Sequence, residues 1–152
     1  MKNILLIIST LIFFNLNTYA AFINITTDYN KTSDCILDKQ ILKNEVYDYK
    51  EFSAEQIKEN KYRKININAI KSQQLKINGL SDFFSNPPNG VVYDTQILKD
   101  NTILLRVLTT DGTYSESVFI NKSTGEMLHE ITTNIDTPNQ GKEISFFTCD
   151  MN

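Results

Sequence analysis

Over residues 64–69, and again over 75–78, the chain alternates between apolar and polar side chains. Ile65, Ile67 and Ala69 are interleaved with Lys64, Asn66 and Asn68, and Leu75 and Ile77 with Lys76 and Asn78, just ahead of Gly79. A period of two sends one set to a buried face and the other to solvent, so the pattern predicts two half-buried strands. Further along, β-forming runs at 91–98, 102–109, 113–120 and 126–133 are punctuated by Lys99-Asp100-Asn101, by Asp111-Gly112 and by the 121–125 segment ending in Gly125. Asp-Gly between two such runs is a strong hairpin signal. A longer break at 136–141 then leads to a last strand at 143–149. Upstream, Ile36, Ile41, Val46, Tyr47 and Tyr49 alternate irregularly with charged residues over 35–52, which predicts one or two partly exposed strands.

Two stretches break the pattern. Ser53-Ala54-Glu55-Gln56 reads as a capping box, with Ser53 as N-cap and Gln56 reaching back, and predicts a short helix over 54–60 with Ala54 and Ile57 facing inward. Residues 80–90, LSDFFSNPPNG, cannot continue a central strand because of Pro87-Pro88 and Asn89-Gly90. They form the largest loop signal in the chain.

Cys35 and Cys149 are the only two cysteines, so one pairing exists. A bond between them requires Cα atoms within about 7 Å, which brings the first and last elements side by side. In the chain-entropy model a loop of that length contributes about 4–5 kcal/mol, so a structural role outweighs a redox one; there is also no Cys-x-x-Cys. About eight strands in sequential hairpins with adjacent ends predict a mainly β domain. The meander is expected to close, or curl strongly, into a small antiparallel barrel with one short helix and its terminal strands joined by the disulfide. An open sheet with the helix on one face is the alternative.

Residues 1–20 carry Lys2, an apolar run over 4–14, and a polar stretch ending in Thr18-Tyr19-Ala20, the three-part plan of a secretory signal peptide. The run is too short for a hydrocarbon core of about 30 Å. Cleavage after Ala20 leaves a leader over 21–34, expected to be flexible, and a single β-rich domain over 35–152. No cysteine sits beside the cut, since Cys35 lies fifteen residues beyond Ala20, and no later apolar stretch is long enough to span a bilayer. The expected location is periplasmic or secreted. Heavy use of Asn, Ile and Lys, with Arg only at 63 and 106, fits an AT-rich bacterial gene.

At 41% hydrophobic and 22% charged residues the composition is that of an ordinary globular domain. Its net charge of −3, which becomes −4 once Lys2 is removed, gives no basic excess for nucleic acid or anionic lipid. His129 is the one histidine, so no histidine-based zinc cluster forms, and neither a metal nor a cofactor is expected. His129 shares a predicted face with Met127 and Ile131, with Glu126, Leu128 and Glu130 on the other side. A catalytic relay would need partners from distant segments. P-loop, Gly-x-Ser-x-Gly, Ser-x-x-Lys and His-Glu-x-x-His motifs do not occur. The chain is therefore read as a non-enzyme.

Two functional expectations remain. The first is a protein-binding module of inhibitor or immunity type. Its candidate binding residues are Phe83, Phe84, Asn86, Pro87, Pro88 and Asn89, where two aromatic anchors precede a proline-stiffened tip that loses little entropy on docking. The competing reading places Phe83 and Phe84 as a plug at one end of the barrel. The second expectation is a lipocalin-like carrier of a small apolar ligand, although Phe119, Phe146, Phe147 and the aliphatic residues could fill a barrel this small. In outline the chain resembles the small exported barrels that include the periplasmic lysozyme inhibitors, which share a signal, a strand meander and a terminal disulfide. Their Ser-Gly-x-Lys/Arg-Tyr loop has no counterpart here; the nearest text is Ser123-Thr124-Gly125-Glu126, so no binding residue carries over.

Overall fold

The computed structural model describes residues 30–57, 62–71, 74–85, 90–99 and 101–151. The expected signal, residues 21–29 of the leader, and the loop tip Asn86, Pro87, Pro88 and Asn89 lie outside the described residues. Nine strands and one short helix follow in order: β1 (Asn30–Lys43), β2 (Lys50–Ser53), β3 (Tyr62–Lys71), β4 (Gln74–Asn78), α1 (Asp82–Ser85), β5 (Val91–Lys99), β6 (Thr102–Thr109), β7 (Tyr114–Asn121), β8 (Glu126–Thr133) and β9 (Gly141–Cys149). All the pairings are antiparallel, and they make a single sheet in the order β4-β3-β1-β9-β8-β7-β6-β5, with β2 attached to β1. The sheet curls into a half-barrel.

The disulfide joins the first strand to the last, as the cysteine count predicts. Cys35 and Cys149 are direct register partners, with Cα atoms 4.0 Å apart. That pairing puts β1 and β9 in the middle of the sheet. The edges are β4 and β5, and residues 79–85, which follow β4 and contain α1, cross over the inner face of the sheet towards β7 and β8. Such a bond persists in an oxidising compartment. No helix among the described residues is long and apolar enough to cross a membrane.

The alternation read from the sequence sets the two faces. Leu37, Ile65, Ile67, Leu75, Ile77, Ile103, Leu105, Val107, Val118, Ile120, Met127 and Phe147 are buried on the inner face. Each such side chain contributes about 1.5–3 kcal/mol of burial, and together they are the main stabilising term. Two glycines fix the tight ends. Gly125 has φ +76°, its N–H donates to Asn121 O at 2.8 Å, and a Cβ there would overlap the carbonyl oxygen of Cys149. Gly79 has φ +92°, and a Cβ there would overlap the Lys64 carbonyl.

Three expectations shift. Residues 30–34, assigned to the leader, belong to β1, where Ser33 is buried and Asn30 to Asp34 pair with β3; the run is too polar to be read as a strand from periodicity alone. Half of the capping box forms, since Ser53 N donates to Gln56 Oε1 at 2.9 Å while the Ser53 hydroxyl donates to Glu55 Oε2, and it closes a single turn over 54–56; residues 58–60 lie outside the described residues. The one short helix is α1, at Asp82–Ser85. The Asp111-Gly112 hairpin is present as a four-residue connection: the Thr109 hydroxyl accepts from Tyr114 N at 3.1 Å and so substitutes for a backbone rung.

Candidate functional site

Of the residues expected to anchor a partner, Phe83 and Phe84 are among the described residues. Phe84 is fully buried, because α1 lays it into the core, where its ring tilts against His129 at 6.2 Å. Phe83 is half-buried and stacks on Tyr114 with ring centroids 4.2 Å apart. Phe84 is therefore not available to a partner at the surface. Both rings hold the crossing segment onto the sheet, as in the plug reading.

Beneath them lies a polar cluster that the sequence did not disclose. Glu116 is on β7 between core positions and is 0% exposed; on β8, His129 is 7% exposed. Register pairs Val118 with His129 and Glu116 with Ile131, so Glu116 and His129 are diagonal neighbours on one face. His129 Nε2 lies 2.5 Å from Glu116 Oε1. On the other carboxylate oxygen, Ser81 Oγ donates at 2.6 Å and the Tyr114 hydroxyl at 3.1 Å. Two hydroxyl donors on one oxygen and the His129 ring nitrogen against the other offset the cost of removing the Glu116 carboxyl group from water. Burial first, and then the Glu116 carboxylate, push the Tyr114 hydroxyl well above the usual tyrosine range. Chemically the cluster is a clasp: Ser81 bonds to the carboxylate, and Phe84 N in turn donates to Ser81 Oγ at 3.3 Å. The signal for it was the period of two, which places Glu116 in line with Val118 and Ile120.

A second inner network lies alongside. Gln40 Nε2 donates to Glu143 Oε1 at 2.8 Å and to Ser145 Oγ at 3.2 Å, and the space left between these groups, Arg63 and His129 is about 100 Å³. Pockets for drug-sized ligands run to about 300–1,000 Å³. Among the described residues no group of three or more His, Cys, Asp or Glu is placed to hold a metal ion.

The outer face is where the structure departs most from expectation. Phe146 and Phe147 are consecutive on a strand and must point to opposite faces; only Phe147 is buried in the interior. Phe119, between buried Val118 and Ile120, also points out, and is 41% exposed. Register lines up Leu104, Phe119, Leu128 and Phe146 across β6, β7, β8 and β9, and ends on Lys39 of β1. In the neighbouring row stand Glu126, Thr148, Ile36 and Tyr62, of which Ile36 is 52% and Tyr62 54% exposed. Where the two rows meet there is a recess of about 450 Å³, floored by Phe119, Leu128 and Phe146 and walled by Asp38, Glu126 and Thr148. The β-bulge between Leu37 and Lys39 builds one wall, because it leaves Asp38 outside the pairing. Its carboxylate Oδ2 accepts from Thr148 Oγ1 at 2.8 Å. Searches against protein-family models, curated proteins and solved structures find no match to this chain.

Proposed function

We propose that the protein is an exported, non-catalytic binding module that holds another protein, as an inhibitor or immunity protein does, and that it does so through the outer-face recess. One observation carries this reading: four apolar side chains from four adjacent strands form a row on the face that does not contain the core, with Phe119 and the neighbouring Ile36 and Tyr62 substantially exposed. An exposed apolar patch rimmed by polar groups is the usual mark of an interaction surface. The signal-like residues 1–20 and the disulfide support a periplasmic or secreted location. A carrier with a lipocalin-like interior has less support, since among the described residues the inner-face space beside Gln40, Arg63 and His129 is about 100 Å³.

The test is retention of a protein from the host's exported fraction on immobilised residues 21–152 with the disulfide intact. The expected result is a stoichiometric partner kept by the native protein and lost with Phe119→Ser and with Phe146→Ser, while thermal unfolding shows both variants folded. A partner retained equally by both folded variants would overturn the outer-face reading.

A further inference from the structure

We infer that the recess takes a cationic side chain, arginine or lysine, together with an apolar neighbour from the partner protein; this rests on the outer-face reading above. The argument is one of charge complementarity. Asp38 and Glu126 stand on either side of Thr148, which is the register partner of both Glu126 and Ile36. Each carboxylate accepts a hydrogen bond from an uncharged hydroxyl: Asp38 from Thr148 at 2.8 Å, Glu126 from Thr124 at 2.8 Å. Among the described residues neither is paired with a lysine or arginine. Among the described residues the cation lining the recess is Lys39, which is paired with Glu51, its Nζ 2.8 Å from Glu51 Oε2 and 5.0 Å from the centre of the Phe146 ring.

Two like charges on the rim of an apolar floor repel each other, and an entering cation relieves that repulsion. The floor suits the same group. Phe119 offers an aromatic face for a cation or a guanidinium plane, beside the Phe146 ring that Lys39 overlies, and Leu128 offers apolar surface for its methylene stem. Arginine is the better fit of the two, because its planar fork can stack on a ring and donate to carboxylates at once. About 450 Å³ exceeds the needs of one side chain, which leaves room for an apolar neighbour. The net charge of −3 adds long-range attraction for a basic segment.

The experiment compares two peptides, N-acetyl-Leu-Arg-Phe-amide and its citrulline counterpart, which differ by the charge alone, titrated into residues 21–152 and followed by amide chemical shifts. The arginine peptide is expected to bind about tenfold more tightly, with the shifts centred on Phe119, Leu128, Phe146 and Thr148, and to weaken with added salt. The combined variant Asp38→Asn with Glu126→Gln is expected to bring the ratio close to one while leaving the fold intact. Equal binding of both peptides to the native protein, shifts centred elsewhere, or no binding by either would overturn the inference. The outer-face reading fails on a different result, the retention of the protein partner by Phe119→Ser and Phe146→Ser.

Discussion

Glu116 and His129 meet diagonally across β7 and β8 on the face of the sheet that holds the core, with the carboxylate fully out of water. The pair sits under the crossing segment, and Ser81, Phe83 and Phe84 of that segment all engage the cluster it belongs to. Removing one partner of such a pair strands the other. Glu116→Ala is expected to cost about 3 kcal/mol or more in denaturant unfolding, and Glu116→Leu with His129→Leu less than the sum of the two single changes. Additive losses would show that the two groups do not act together.

Phe84 and Phe83 are expected to separate in their effects. Phe84→Ala empties a fully buried site and costs about 3–5 kcal/mol, whereas Phe83→Ala removes a half-buried ring stacked on Tyr114 and costs about 1 kcal/mol. Equal and small losses, read from denaturant midpoints, would place both rings outside the core.

The Cys35–Cys149 bond joins register partners at the middle of the sheet. Cys35→Ser and Cys149→Ser should each lower stability by about 4–5 kcal/mol, and the double variant by little more, since either change opens the same loop. A folded native protein with a titratable thiol would contradict the bond.

Tyr114 gives a pH dependence whose sign follows from its environment. Its hydroxyl ionises at higher pH in the folded chain than in the unfolded one, so its contribution is complete below about pH 10, the unfolded value, and is lost as pH rises above it. The difference in unfolding midpoint between the native protein and Tyr114→Phe should therefore shrink as pH increases beyond about 10. A difference that grows with alkaline pH would reverse the assignment.

The sequence was most readable where alternation and turn chemistry agree. Strands β5 to β9, the hairpin at Asp111-Gly112 and the disulfide followed from period, Gly placement and cysteine count. What alternation could not give was the curvature that decides which face becomes the interior. Phe119, Phe146 and Phe147 looked equivalent as barrel fillers, yet the strict period of two allows only one of the neighbouring Phe146 and Phe147 inside. The bulge at Asp38, which shapes the recess, comes from a register shift between distant strands and leaves no local mark. In the loop, the aromatic pair Phe83-Phe84 read equally well as exposed anchors or as a plug, because exposure depends on what the crossing segment covers. Glu116 on a core face was visible in principle, but its partner His129 is fixed only by the β7–β8 register.

The most direct test of the central claim is site-specific photocrosslinking with benzoyl-phenylalanine in place of Phe119 on the outer face and, separately, in place of Phe83 beside the plug, in the presence of the host's exported proteins. The account predicts one crosslinked protein from position 119, at one-to-one stoichiometry, and none from position 83. Crosslinking from position 83 alone would contradict it and return the binding surface to the loop.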